Sequence, residues 1–309
     1  MDALVALRSA VRATLSKFSP GDLILIAVSG GADSLALAAA AKIEAEKLTL
    51  RLLGVTVDHQ LQAGSDAQSE KVAKQIEFPC LIEKVNVEIT DGLEASARRA
   101  RYQALDKVAK EHGAVAVLLG HTRDDQAETV LLGLTRGSGA RSLSGMAFET
   151  GIYFRPFLNI TRAQTLAACI ELKLEPWQDP HNDDLNFLRV RVRKNVLPVM
   201  ESELGPGISD ALVRSSNLLR DDADALDKLA ADFWLTDNSL TISALESLPK
   251  AIRTRVLRIA LFEKGVMQLS ADQIGQVDAL ISNWKGQKEV SLPSGVKVSR
   301  ISGRLTLSN

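Results

Sequence analysis

Apolar positions change rhythm several times along this chain, and each change predicts an element. From Leu23 to Val28 every residue is apolar without alternation, the pattern of a strand buried on both faces in the middle of a parallel sheet. A turn, SGGADS at 29–34, separates it from LALAAAAKIEA, which can only be a helix. LRLLGVTVDHQ supplies a second buried strand, residues 68–77 a helix, and CLIEKVNVEI a third strand. EASARRARYQALDKVAKEHG predicts a long helix ending at Gly113, and AVAVLLGH a fourth strand. A further helix begins near Asp124, with Val130, Leu131 and Leu134 on its buried side. A short amphipathic helix over residues 4–17 precedes them all. Strands alternating with helices imply right-handed crossovers. The fold class is therefore α/β, an open, doubly wound parallel sheet whose site lies at the carboxyl ends of its strands.

Beyond Pro198 the rhythm is different. GPGIS at 205–209 is a cluster of breakers, and ALVRSSNLLRDDADALDKLAADFW reads as a linking helix with a charged outer face. Two amphipathic helices follow, LPKAIRTRVLRIALFEKG and SADQIGQVDALISNW. The last stretch alternates in short strands broken at Pro293-Ser294-Gly295 and Ser302-Gly303, which predicts a three-stranded meander. The expected organisation is a catalytic unit over 1–204, a helical linker over 205–240, and a smaller α+β unit over 241–309.

Charge and cysteine content refine this picture. With 37 basic against 38 acidic residues, the net charge of −1 gives no global sign of a nucleic-acid partner. Locally, residues 206–252 hold 4 basic and 8 acidic side chains, whereas 253–309 hold 9 and 4, so the end of the chain could bind a polyanion that the average hides. Cys80 and Cys169 share no C-x-x-C, which argues against a structural zinc site or a redox pair and for two core residues. Arginines interrupt the apolar N-terminal positions, and no run approaches the ~18 apolar residues a membrane span needs. A cytosolic protein without a membrane partner is expected, and a homodimer stays open.

The turn after the first strand carries the candidate chemistry. A strand, a glycine turn and a helix start present backbone N–H groups and the positive end of a helix dipole to an anion such as phosphate. Gly30 and Gly31 let that anion approach the backbone, Ala32 leads into the helix, and Ser29 and Ser34 add hydroxyls. This is not a Walker A loop: no lysine follows, and Asp33 stands where loop meets helix, so the phosphate should be held together with a metal ion. Asp58 and His59 close the second strand, where a carboxylate can hold ribose hydroxyls or a metal and an imidazole can contact a base or phosphate. His121 leaves the fourth strand. Behind it, Asp124, Asp125 and Glu128 cluster in the first turn and a half of a helix. An acidic first turn suits any helix dipole, but this one opens onto the same crevice as SGGADS.

SGGADS resembles the pyrophosphate loop of the N-type ATP pyrophosphatases, in which the loop grips the β and γ phosphates and leaves the α phosphate open to attack. HTRDDQAET followed by RGSGARSLSGM resembles the signature of the tRNA(Ile)-lysidine synthetases, and the likeness extends to EASARRARY at 94–102, RPFLNITR at 155–162 and WQDPHNDDLNFLRVRVRKNVLP at 177–198. Two departures stand out: the family's VDHGLR is VDHQLQ here, so Gln62 replaces an expected basic contact, and Arg141-Ser142 stands where glycine is common. The resemblance implies an adenine nucleotide alpha hydrolase-like sheet. It also implies ATP as substrate with Mg²⁺, free L-lysine, and an isoleucine tRNA with a CAU anticodon as partners.

On that resemblance, Asp33 helps hold Mg²⁺, and Asp125 with Glu128 binds and deprotonates the lysine ammonium or shares the metal, with Asp124 as a further acid. Arg98, Arg101, Arg136, Arg189 and Arg193 lie in the family-like motifs and are candidates for neutralising tRNA or nucleotide phosphates. Arg98 could equally pair with Glu94, and the stretch from Arg189 to Lys194 could be a solvated helix face.

Three other readings stay open on sequence. A tRNA thiolase or an amidotransferase-type synthetase would share SGGADS, although thiolases usually carry catalytic or cluster cysteines. A non-catalytic ATP-binding sensor leaves the acidic helix start and the basic tail without a purpose, and intact Asp33, Asp125 and Glu128 argue against an RNA-binding module with a vestigial nucleotide site.

Overall fold

The computed structural model describes residues 3–60, 64–90, 92–137, 139–267 and 269–308. Gln62 and Ser138, both inside the motifs above, lie outside the described residues. In chain order the first elements are α1 (Ala3–Leu15), β1 (Leu23–Ala27), α2 (Ala32–Leu48), β2 (Arg51–Asp58), α3 (Ser65–Gln75), β3 (Cys80–Lys84), α4 (Leu93–His112) and β4 (Ala116–Leu118). Then come α5 (Arg123–Thr135), α6 (Ala140–Leu143), a hairpin of β5 (Glu149–Thr150) and β6 (Tyr153–Phe154), and α7 (Arg162–Glu171). Helix α8 (Leu188–Arg191) runs through a π-helical turn, Val192–Val196, into α9 (Leu197–Glu203). The chain closes with α10 (Ile208–Thr236), α11 (Ile242–Ser247), α12 (Lys250–Glu263), α13 (Ala271–Ser282), β7 (Val290–Ser291), β8 (Lys297–Ile301) and β9 (Arg304–Ser308). Two compact units result: Met1–Leu132 with Gly145–Arg214, and Gly133–Ser144 with Ser215–Asn309.

The first unit is built on a sheet of order β3-β2-β1-β4-β6-β5, parallel except for the β5 edge strand. The unbroken apolar run of β1 has the reason expected of it. Ile24 and Ile26 pack into a core with α1, α2 and α7, while Leu23 and Leu25 pack against Leu105 and Val108 of α4. Alanines at 36, 38, 40 and 41 are all fully buried, so the stretch of α2 from Leu35 to Ala41 is apolar all round and lets its neighbours approach closely. The order reverses between β1 and β4, and the crevice outside their carboxyl ends is where open α/β sheets bind ligands.

Several boundaries differ from those the sequence predicts. α2 begins at Ala32, which puts Asp33 and Ser34 inside its first turn. β3 stops at Lys84, level with Asp58, the last residue of its partner β2. Leu134 is 59% exposed: the apolar cluster covering Leu131, made with Val192 and Leu197, does not reach it.

A buried ion network ties α1 to α2. Glu44 is fully buried, with Arg8 Nε and Arg12 Nε each 2.7 Å from its carboxylate and Lys47 Nζ at 3.2 Å. The Arg12 hydrogen bond is the largest influence on its carboxyl and, with Arg8 and Lys47, outweighs burial to bring it down to about 2. Because the folded value lies below the ordinary 4.5, this stabilisation is present above about 4.5 and is lost as pH falls towards 2. Glu44→Gln is expected to lower the unfolding free energy at pH 7 by about 2 kcal/mol, moderated by the partial exposure of the arginines. Urea titrations should show that gap closing below about pH 3, and equal midpoints at pH 7 would refute it.

The second unit packs α11 to α13 and an antiparallel β7-β8-β9 meander around Leu245, Val256, Leu257, Val277, Leu280 and Val298. Much of its positive charge is used internally. Arg253 pairs with Asp278 at 2.6 Å in the core, Arg255 with Asp227 at 2.6 Å, and Lys297 with Glu289 at 2.8 Å. Arg141, one of the departures from the family pattern, pairs with Asp224 at 2.6 Å and also with Asp227. Arg136 belongs to this unit and is exposed.

Candidate active site

The turn between β1 and α2 is tightened by its own serine. Ser34 Oγ accepts the Ser29 N–H at 3.1 Å, lies 3.2 Å from Ser29 Oγ, and donates to the Gly31 carbonyl at 2.9 Å. Gly30 has φ +87°, and a methyl added to it would meet Val72 of α3 at 2.5 Å, so conformation and space both require glycine. Its carbonyl accepts the Trp177 N–H at 2.9 Å. The N-cap of α2 is Gly31, which has no side chain to cap the helix, so the first N–H groups face the turn in the manner of an anion cradle. Gly120, just past β4, lies so close that a methyl on it would sit 3.1 Å from the Asp33 carbonyl and the Ser34 nitrogen. The ends of β1 and β4 are thereby locked together.

Beside this turn, the acids of α5 meet Asp33 through arginines. Arg162 opens α7 and reaches three carboxylates: Asp125 at 3.1 Å, Glu128 at 3.6 Å and Asp33 at 3.7 Å. Glu128 is fully buried and is gripped by Arg189 Nε at 2.7 Å and Arg193 Nε at 2.6 Å. Asp125 accepts the Thr122 N–H at 2.8 Å and its hydroxyl at 3.0 Å through Oδ2, while Oδ1 faces Arg162 and Arg189. Burial alone would raise the Asp125 carboxyl, but Arg189 and Arg162 overcome it and hold it below the ordinary range. Asp33 has weaker compensation. Burial pushes it up to about 6, against the Thr165 hydrogen bond and Arg162.

Asp124 occupies a different place: its Oδ2 accepts the Arg162 backbone N–H at 2.8 Å, tying α5 to the start of α7. Arg189 and Arg193 turn inward to Glu128, whereas Arg191 and Lys194 of the same stretch stay exposed. Arg98 turns onto Tyr102, with its guanidinium 4.9 Å from the ring centroid and Nη2 3.1 Å from the hydroxyl. Arg101 lies 5.9 Å from the same ring, its Nε buried with no partner among the described residues.

Asp58 ends β2 with Oδ1 accepting the Gln60 N–H at 2.9 Å and Oδ2 buried without a partner among the described residues. His59 Nδ1 and His121 Nδ1 are likewise buried and have no partner among the described residues. Burial lowers His59, and burial brings His121 down to about 3, so both imidazoles are neutral near pH 7. Neutral rings and an unsatisfied carboxylate oxygen are groups suited to the hydroxyls and base edge of a nucleoside.

Sequence reasoning passed over Arg162, Thr165, Thr122, Tyr102 and Trp177. The start of α7 had a legible signal, the capping box of Thr161 and Gln164, in which Thr161 Oγ1 accepts the Gln164 N–H and Gln164 Oε1 accepts the Thr161 N–H. Nothing in the local sequence points to the Asp33 to Thr165 contact, which joins residues 132 apart.

Fold and site together define a PP-loop protein: residues 6–200 match the PP-loop domain family, and residues 240–306 match the TilS substrate binding domain. Similar curated relatives include a tRNA(Ile)-lysidine synthase of Thermobifida fusca, 48% identical over 312 residues and covering 97% of this chain and 96% of that protein. Another, from Streptomyces coelicolor, is 49% identical over 298 residues, covering 92% and 85% respectively. The chain belongs to the tRNA(Ile)-lysidine synthase family. A U34-tRNA thiolase, NcsA, from Methanococcus maripaludis shares the fold at a TM-score of 0.58 with 19% identity, covering 71% of this chain and 79% of its own.

Proposed function

We propose that this protein is an ATP-dependent, AMP-forming ligase that joins free L-lysine to C2 of the wobble cytidine, position 34, of a CAU-anticodon isoleucine tRNA. The observation carrying this reading is the convergence of the phosphate loop and the acids of α5 on Arg162, in one crevice at the reversal point of the sheet. Family membership over nearly the whole chain supports the same chemistry.

The C2 oxygen of cytosine does not leave unaided, so it is first made into a leaving group. It attacks the α phosphate of ATP, its bond to phosphorus forms as the bond to pyrophosphate breaks, and an adenylated tRNA results. The lysine ε-amine then attacks C2 and expels AMP. The turn from Ser29 to Ser34 binds the outgoing diphosphate through its N–H and hydroxyl groups. Asp58, His59 and His121 orient the nucleoside. Arg98, Arg101 and Arg136 neutralise RNA or nucleotide phosphate.

The acids differ in what they can hold. Asp33 carries a carboxylate that Arg162 meets only at 3.7 Å, and one or two such carboxylates with substrate phosphates suit Mg²⁺. When bound, Mg²⁺ supplies charge neutralisation to the departing pyrophosphate. Asp125, held below the ordinary carboxylate range by Arg189 and Arg162, and Glu128, gripped by Arg189 and Arg193, are the acids that bind the lysine ammonium. That ammonium, with an ordinary pKa around 10.4, must pass a proton to the carboxylates before it attacks. The span 1–204 performs this chemistry, 205–240 links, and 241–309 contacts the tRNA.

Purified protein with ATP, Mg²⁺, labelled lysine and the CAU-anticodon isoleucine tRNA is expected to incorporate label with release of AMP and pyrophosphate. Absence of incorporation, with sulfur or amide transfer to another substrate, would reject the reading.

A further inference from the structure

Both oxygens of Asp33 are met by one short face of α7. Thr165 is fully buried and donates its hydroxyl hydrogen to Asp33 Oδ1, and Arg162, one turn earlier, faces Oδ2 through Nε at 3.7 Å. Residues three apart on a helix share a face, so a single turn addresses one carboxylate from two directions. That turn is itself fixed. Thr161 and Gln164 cap it reciprocally, and Asp124 of α5 holds the Arg162 backbone N–H at 2.8 Å. A line of contacts therefore runs from α5, through the first turn of α7, to the first turn of α2.

A carboxylate on a helix start has several rotamers, and a partner that holds one oxygen selects among them and leaves the other for a ligand. We propose that Thr165 is a positioning residue for the reaction described above, its hydroxyl fixing the Asp33 carboxylate in the orientation that receives the cation accompanying the nucleotide phosphates. Arg162 faces the second oxygen until that cation arrives. The Arg162 carbonyl, 2.8 Å from the same hydroxyl, competes for its one hydrogen, and the charged carboxylate is the stronger acceptor of the two. Valine would fill the same space with the same branching but would offer Asp33 no hydrogen. The inference rests on the reading that Asp33 serves the nucleotide.

Calorimetric titration of ATP with Mg²⁺ into the full chain, together with the Mg²⁺ concentration giving half-maximal AMP release, tests it. Thr165→Val is expected to weaken nucleotide binding about tenfold and to raise the half-maximal Mg²⁺ by a similar factor, as loss of a hydrogen bond to a charged group implies. The rate at saturating Mg²⁺ should fall less. Thr165→Ser should restore both readings to within about twofold, with melting temperatures of both variants close to that of the parent. Unchanged binding and Mg²⁺ dependence in Thr165→Val, when Asp33→Ala has lost both, overturns the positioning role and leaves the reading of Asp33 standing. If Asp33→Ala itself keeps both, that reading and this inference fail together. Should Thr165→Val not fold, Thr165→Ala carries the same expectation and the same refutation.

Discussion

Asp33→Asn is expected to abolish lysine incorporation, by about a thousandfold or more, and at the same time to make the protein more stable at pH 7. The loss follows from replacing the carboxylate that stands at the phosphate turn with a neutral amide. The gain follows from the direction of its titration. Folding raises this carboxyl from 3.8 to about 6, so the folded protein binds the proton more tightly than the unfolded chain. The resulting penalty is absent below about 3.8 and complete above about 6, where the charge is held partly out of water. A rise of that size sets an upper bound of roughly 3 kcal/mol, and the partial exposure of the side chain reduces the expected gain to about 1–2 kcal/mol. Asparagine keeps an acceptor for Thr165. Melting curves at pH 7 should therefore place the variant above the parent, with the difference shrinking at about pH 4. A variant that melts lower at pH 7, or that still incorporates lysine, contradicts the account.

Glu128→Ala should strongly destabilise the first unit. Its carboxylate is fully buried, and three guanidinium groups converge on it from α7 and from the α8 region. Removing it leaves those cations facing one another with Asp125 as their remaining shared acid. Breaking a buried pair costs about 3–5 kcal/mol, and the arginines, about a quarter exposed, recover part of this by hydration, which leaves about 3 kcal/mol. In a domain of this size that corresponds to a melting temperature lower by roughly 6–12 °C. Glu128→Gln keeps the shape and should lose less. Incorporation should fall at least a hundredfold in the alanine variant even at temperatures where it is folded. An alanine variant that melts with the parent would show that the arginine cluster is not held by this residue.

What could be read from the sequence was whatever is fixed by neighbours in the chain. The β1 run is apolar because both of its faces are covered, and the end of α4 at Gly113 is set by a left-handed residue, φ +66°, that closes the helix. The phosphate turn is legible for the same reason, since a glycine at φ +87° and a serine five residues after its partner act within one loop. Contacts that span the fold left no such trace. Arg189 and Arg193 read locally as a cationic helix face, and only the fold shows Glu128, more than sixty residues away, drawing them inward. Leu134 fits the helical period of α5 yet is exposed, because periodicity states which face a residue shares and not how far along it the covering layer extends. The small β5-β6 hairpin and α11 escaped notice because two-residue strands and a six-residue helix carry too little pattern.

The close approach of Gly120 bears on how this scaffold can diverge. Its missing side chain is the clearance between the end of β4 and the first turn of α2, so even alanine would have to push the backbone of Asp33 and Ser34 by a few tenths of an ångström. Variation that alters which base or amine is accepted must therefore accumulate on surrounding side chains, while position 120 tolerates no such experimentation. Libraries aimed at new acceptors would do well to keep that codon constant.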